Sequence, residues 1–301
     1  MNLPPFLHKG DKIAMVSVAG IVNREQVEKA KFLFEQEGFL VEVATHAFDT
    51  HHIFAGMDAD RAGDMQMALD DPEIKAIFFT RGGYGSLRTF MLLDWSRFFL
   101  CPKWLIGFSD ITVFHAYLST QRIASVHGVM SSFFFEDGER TESFDKLLDL
   151  LKGSPLNYRI QPNPLNLPGK CSGELVGGNL SLLISLRGTS LDQSLNGKVL
   201  FIEDIDEFDY HIDRMMMNLR FSGALSGLGG LIAGYFTNTK AGGKPFGLDA
   251  YGIIREAVSG YGYPVAFGFP AGHEMPNYPL VMGSEISLEV NSDLVLVRQS
   301  F

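Results

Sequence analysis

Lys103-Trp104-Leu105-Ile106-Gly107-Phe108-Ser109-Asp110-Ile111-Thr112 is the stretch on which the reading of this 301-residue chain turns. Trp104 to Ile106 is an apolar run of buried-strand length, and Gly107 ends it. Beyond Ser109 the period changes. Ile111, Phe114 and Leu118 fall at i, i+3 and i+7, the stripe of a helix. Ser109 therefore sits where a strand turns into a helix. A nucleophile elbow occupies that place in serine hydrolases, where a sharp turn lifts the hydroxyl out of the sheet and aims the next N–H at the reacting carbonyl. The elbow pattern is G-x-S-x-G, and Ile111 stands at the second Gly. A plain helix N-cap at Ser109, with Asp110 in the first turn, accounts for the same residues.

Upstream, residues 12–18 read as a buried strand. Asn23 with Gln26 is a capped helix start, and Val27, Ala30 and Phe34 give that helix its apolar face. Gly38 ends it, and residues 40–43 form a second strand. This β-α-β opening predicts a parallel sheet. Ala62, Met65 and Leu69 form the next helical stripe, which Asp71-Pro72 stops. Residues 74–79 are a strand running into Arg81-Gly82-Gly83-Tyr84-Gly85-Ser86. Glycine lets a backbone approach a ligand closely and expose its N–H groups. Three readings stay open: half of an oxyanion hole, a plain tight turn, and a phosphate cradle that lacks both G-K-[ST] and G-x-G-x-x-G. Between these elements lie His46, Asp49, His51 and His52. They are ligand types without helical ligand spacing, and read as a solvated loop with no metal.

Residues 123–128 give another strand and 144–151 a Leu-rich helix. Pro155, Pro162, Pro164 and Pro168 follow with little periodicity. This divides the chain into an N-terminal domain at 1–152, a linker at 153–170 and a C-terminal domain at 171–301. The second half has a helix over 180–186 and a strand over 199–202 that ends in Glu203-Asp204-Ile205-Asp206-Glu207. Such acidic runs are ordinarily solvated, but Glu203 stands directly at a strand end, where orienting carboxylates sit in α/β enzymes. A helix over 210–221 and a strand over 229–235 come next. The apolar segment 263–269 runs into Pro270-Ala271-Gly272-His273-Glu274, and 286–290 with 294–297 read as a final antiparallel pair. The fold class is thus α/β, with an N-terminal parallel-sheet domain and a C-terminal α/β domain rich in β structure.

The formal charge is 25 − 35 = −10. That balance argues against general binding to nucleic acid or anionic membrane. No apolar run has bilayer-spanning length, and the start lacks the pattern of a secretory signal. Cys101 and Cys171 belong to no C-x-x-C or Cys/His cluster, and fit a reduced, cytoplasmic compartment as small buried hydrophobes.

Several of these segments, taken in order, resemble one family. They are Phe54-Ala55-Gly56 with Arg61, Arg81 to Gly85, Gly107 to Thr112, Leu175-Val176-Gly177-Gly178-Asn179-Leu180, Phe201-Ile202-Glu203-Asp204, Ile212-Asp213-Arg214 and Gly272-His273. Over nearly its whole length the chain resembles the LD-carboxypeptidases, serine peptidases that include cytoplasmic murein tetrapeptide carboxypeptidases and microcin C immunity peptidases. The resemblance implies Ser109 as nucleophile, Glu203 as triad carboxylate and His273 as base. It implies an oxyanion hole from the backbone N–H groups of Gly83 and Asp110, no cofactor, a small peptide substrate and a homodimer. Arg81 and Tyr84, flanking the glycines, are candidate substrate-binding residues. Two departures from the family pattern stand out: Val18-Ala19-Gly20 replaces a Pro-Ser pair after the first strand, and His127-Gly128-Val129 replaces His-Gly-Pro; neither touches the implied triad. The chemistry agrees, because serine needs a base and the base a carboxylate to fix its tautomer. His127 is the rival base. The substrate that follows is a murein tetrapeptide losing its terminal D-Ala in cell-wall recycling. A peptidyl-nucleotide antibiotic and a non-catalytic ligand-binding protein are the alternatives.

Overall fold

The computed structural model describes residues 2–301. It divides into two compact units, Met1–Ser154 with Tyr278–Leu280, and Pro155–Asn277 with Val281–Phe301.

In the first unit β1 (Lys12–Val16), α1 (Arg24–Gln36), β2 (Leu40–Val43), α2 (Asp58–Asp70), β3 (Ile74–Phe79), α3 (Ser86–Phe90), β4 (Trp104–Gly107), α4 (Thr112–Thr120) and β5 (Ser125–His127) alternate. A hairpin of β6 (Phe135–Glu136) and β7 (Glu139–Arg140) and then α5 (Glu142–Leu151) complete it. Neighbouring strands from β1 to β5 pair in parallel. The sheet order is β13-β5-β4-β3-β1-β2, where β13 (Leu280–Met282) starts in the short segment 278–280 that belongs to this unit. The chain therefore leaves β1 in one direction and β3 in the other, the arrangement of a doubly wound sheet with its switch point between them. Local sequence sets each element. Asn23 caps α1 by accepting from the N–H groups of Glu25 and Gln26. Val27, Ala30, Leu33 and Phe34 are its buried face. The strands carry near-continuous apolar side chains, because a parallel sheet is covered on both faces.

The second unit is built on β8 (Leu156–Ile160), β9 (Gly169–Asn179), α6 (Leu180–Ser185), β10 (Val199–Ile205), α7 (Asp209–Phe221), β11 (Gly230–Thr237), α8 (Ala250–Ala257), β12 (Val265–Phe267), β14 (Glu285–Val290) and β15 (Val295–Gln299). One seven-stranded sheet runs β12-β11-β10-β9-β14-β15-β8. β9 to β12 are parallel, and β14, β15 and β8 extend the sheet antiparallel to their neighbours. Ile202, Ile212, Met216, Leu231 and Ile254 meet in its core beneath α7 and α8.

Three features differ from the sequence reading. Residues 153–170 are not all linker, since Leu156–Ile160 pairs with β15 and alternates buried Leu156 and Tyr158 with exposed Asn157 and Arg159. Five alternating residues between prolines are too short a signal to stand out. The acidic run after Ile202 is also not a loop from its first residue. β10 continues to Ile205, and Glu203 and Asp204 are buried within it. Cys101 and Cys171 are free and half-buried, less enclosed than small core hydrophobes.

Candidate active site

Ser109 lies at the junction of β4 with a short 3-10 turn (Ser109–Ile111) that feeds α4. Its φ of 65° places a non-glycine residue in the left-handed region. Serine occupies that region rarely and at some cost, and such strain concentrates at functional turns. A simple N-cap has extended backbone instead, and here Phe108 carries it, with φ −147° and ψ −171°. The Ile111 substitution has a steric reason. A Cβ on Gly107 would stand 3.0 Å from Cγ1 of Ile111 and 3.2 Å from Cβ of Phe79. The glycine before the serine makes room for the isoleucine after it, which is fully buried.

The glycine-rich turn is packed onto this elbow. A Cβ on Gly82 would lie 3.0 Å from Cβ and 3.2 Å from Oγ of Ser109, and 3.3 Å from the Asp110 nitrogen. The Gly20 N–H donates to the Gly82 carbonyl at 3.0 Å. Since a trans peptide points its N–H opposite its C=O, the Gly83 N–H faces away from Gly20. Gly83 itself has φ 100°, a conformation that side chains disfavour. The buried Asp110 carboxylate ties the two segments together, accepting the Ser86 N–H at 2.7 Å. Burial raises its pKa, and the donors from Ser86 and Gly85 oppose that rise. Arg61 is a buried brace behind the same turn, donating to the carbonyls of Val18 and Gly56 and to Oγ1 of Thr89. Arg81 and Tyr84 are both exposed. Arg81 Nη1 donates to the Ile21 carbonyl at 2.5 Å, and the Tyr84 ring is 6.0 Å from that of Phe54.

Sequence reading overlooked His115. It lies behind the elbow, Nε2 2.9 Å from the Gly107 carbonyl and Nδ1 2.8 Å from Oγ of Ser125. A carbonyl only accepts, so Nε2 carries the proton and Nδ1 accepts from the serine hydroxyl. Burial pushes the imidazole pKa down to about 4, so the ring is neutral and serves as a fixed strut between β4 and β5. His127, the rival base, is fully buried in β5, its ring centroid 5.7 Å from that of Phe108 and 6.3 Å from that of His115.

In the second unit Nδ1 of His273 is 2.7 Å from Oε2 of Glu203. The local fold brings them together. Against β11 the register of β10 shifts between Ile202 and Asp204, so one residue, Glu203, stands opposite Gly234 and Tyr235. Such bulges re-aim side chains beside active sites. The bulged strand also receives the turn that carries His273, through Phe269 N–H to the Ala233 carbonyl and Tyr235 N–H to the Ala271 carbonyl. Gly272 has φ 137°, and a Cβ there would stand 3.3 Å from Glu203 Oε2. Only glycine lets the turn close over the carboxylate. Burial lowers the pKa of His273, but the Glu203 charge and hydrogen bond outweigh it, and the net shift is upward. Asp204 accepts from Asn179 Nδ2, Ser181 N–H and Ile205 N–H. Burial, and next the charge of Glu203, push it up to about 7 against those donors. A fixed imidazole–carboxylate pair can accept and return a proton, and a serine on a left-handed elbow presents a nucleophile.

His46 is hydrogen-bonded to Asp64 at 2.9 Å, and among the described residues no three His, Cys, Asp or Glu side chains form a metal-binding group. No helix among them is long and apolar enough to cross a membrane.

Residues 13–128 match the family model for the LD-carboxypeptidase N-terminal domain, and residues 172–288 that for the LD-carboxypeptidase C-terminal domain. A probable murein peptide carboxypeptidase of Bacillus subtilis is 31% identical, over 98% of this chain and 94% of its own. The crystal structure of muramoyltetrapeptide carboxypeptidase from Oxalobacter formigenes superposes with a TM-score of 0.87 at 26% identity, covering 96% of this chain and 99% of that one. The microcin C7 self-immunity protein MccF of Escherichia coli is 23% identical over 97% of this chain and 94% of its own.

Proposed function

We propose, on the premise that this chain belongs to the LD-carboxypeptidase family, that it is a serine peptidase which removes the terminal D-alanine of a murein tetrapeptide by cutting an L,D bond. The observation that carries the reading is Ser109 at φ 65° between a strand and a helix, with the glycine-rich turn packed on its side chain. A capping serine needs neither feature. Ser109 Oγ attacks the scissile carbonyl carbon as His273 takes its proton. With Nδ1 committed to Glu203, Nε2 is the ring atom that exchanges the proton. The tetrahedral oxyanion is met by the backbone N–H groups of Gly83 and Asp110. Collapse expels D-alanine, whose amine receives the proton from His273, and leaves an acyl-serine. Water, deprotonated by the same imidazole, releases the tripeptide acid and restores the hydroxyl.

This reading has the protein work in the cytoplasm as a homodimer, on a peptide freed from the cell wall. Murein carboxypeptidases stand among the relatives at 31% and 26% identity, and the microcin immunity protein at 23%. The test is mass spectrometry of purified protein incubated with a murein tetrapeptide, wild type beside Ser109→Ala. Loss of one alanine residue from the peptide with the wild type alone supports the proposal. An untouched tetrapeptide, with turnover of a peptidyl-nucleotide instead, would move the chain to the immunity branch. Turnover by the alanine variant would remove Ser109 from the mechanism.

A further inference from the structure

We propose that a cavity of about 300 Å³ at the ends of β1 and β3 is the subsite for the substrate's terminal carboxylate, with the Arg81 guanidinium as its counter-charge. The proposal rests on the carboxypeptidase reading above, and names which part of the substrate goes where.

Three observations carry it. The first is position. Asn23 and Gln26 line the cavity from the chain that follows β1, Thr80 and Arg81 from the chain that follows β3, and Ser131 and Ser132 add to the lining. β1 and β3 are adjacent, and the chain departs from them in opposite directions. In open α/β sheets that crevice, outside the carboxyl ends of the strands at the switch point, is where ligands bind.

The second is charge. Arg81 is the one ionised side chain in the lining, and every other polar group there is a neutral amide or hydroxyl. No carboxylate lines the cavity although the chain as a whole carries −10. The attraction comes from the guanidinium and not from the α1 terminus, whose Glu25 and Gln26 N–H groups are already taken by Asn23. Arg81 is held in place by one N–H, donated to the Ile21 carbonyl at 2.5 Å. A guanidinium has five N–H donors in a planar fork that matches a carboxylate.

The third is reach. Arg81 directly precedes Gly82, the residue packed against Ser109. In a C-terminal amino acid the carboxylate carbon lies only about 4 Å from the scissile carbon. The groups that hold those two carbons must therefore be neighbours in the protein, as the turn at Gly82 and the Arg81 side chain are.

The experiment compares a murein tetrapeptide acid with its C-terminal amide, using wild type, Arg81→Gln and Arg81→Lys. The wild type should prefer the acid, and Arg81→Gln should cut the acid-to-amide ratio of kcat/KM about tenfold or more, mainly through KM of the acid. Lysine keeps the charge without the fork and should fall between. Because each variant is scored on a ratio, general loss of folded enzyme cancels. An unchanged ratio in Arg81→Gln overturns the proposal. If the wild type cuts neither peptide, the carboxypeptidase reading fails, and calorimetric titration of the same peptides decides the subsite. Acid binding that weakens in Arg81→Gln supports it, and equal binding of acid and amide to the wild type overturns it.

Discussion

Gly82→Ala should lower kcat by about 10²- to 10³-fold while the protein stays folded. The added methyl would stand 3.0 Å from Cβ of Ser109, 3.2 Å from its Oγ and 3.3 Å from the Asp110 nitrogen. Carbon contacts settle near 3.5–4.0 Å, so Ser109 or the turn must yield by about half an ångström. A misplacement of about 1 Å can cost roughly a hundredfold, so half of it accounts for about tenfold. The larger effect is obstruction. The methyl crowds the Asp110 nitrogen at 3.3 Å; if it blocks the proposed oxyanion donor there, the loss of one such donor costs about 10²–10³ in kcat. Stability should change little. Overpacking costs about 1–3 kcal/mol. The backbone at Gly82 is outside the left-handed region, so alanine returns about 0.4–1 kcal/mol by restricting the unfolded chain. The assay is steady-state release of D-alanine beside a thermal melt. Gly83→Ala is the contrast, since its Cβ would meet only Gly20 atoms, none closer than 3.5 Å, but at φ 100°. Its penalty should fall on stability. A Gly82→Ala enzyme that folds and keeps kcat within about threefold of wild type would refute the packing argument.

Glu203→Gln should lower kcat by roughly 10³- to 10⁴-fold, because the imidazolium loses its stabilising charge. The same change moves the acid limb of the pH profile of kcat/KM to lower pH. Glu203 is what holds the His273 pKa up against burial, and the base works when neutral, so a limb that stays put would separate the pair from the titration. Asp110→Ala strands the Ser86 N–H and should cost about 1–3 kcal/mol in denaturant unfolding, whereas Asp110→Asn, which still offers an acceptor oxygen, should cost less; equal losses would deny the tether. Turnover should survive exhaustive chelation, because the proposed mechanism takes its nucleophile, base and electrophile from Ser109, His273 and two backbone N–H groups. Activity abolished by EDTA and restored by zinc would contradict this.

The elbow was legible because the hydrophobic period changes at Ser109, a local signal carried by Ile111 in the 3-10 turn and by Phe114 and Leu118 on α4. Its left-handed backbone was not, since φ follows from how Gly107, Ile111 and Phe79 pack. The parallel sheet of the first unit followed from β-α-β patterning and from caps such as Asn23. In the second unit α8 escaped notice, although Asp249 caps it and Ile253, Ile254 and Ala257 form its stripe. A glycine-rich stretch before it hides a helix of only eight residues. The burial of Glu203 and Asp204 was illegible for a different reason. Neighbouring carboxylates read as solvated, and what encloses them is non-local: the bulge at Gly234 and Tyr235, the Gly272 turn, and β9, where a Cβ on Gly177 would stand 1.9 Å from the Phe201 carbonyl oxygen. His115 carried no sequence signal beyond being a histidine on a helix, and its partners Gly107 and Ser125 come from two different strands.

In the proposed reaction the working substrate ends in a D-residue, with its scissile carbonyl placed by fixed donors at Gly83 and Asp110. Inverting the last stereocentre exchanges methyl and carboxylate. With the carboxylate anchored, the scissile carbonyl then turns away from the two N–H groups. The most direct measurement is kcat/KM for two matched murein tetrapeptides that differ only at that centre. The D-terminated peptide should be hydrolysed, and its L-terminated partner should lose about a hundredfold or more. Comparable values for the two would contradict it, even with Ser109 proved to be the nucleophile.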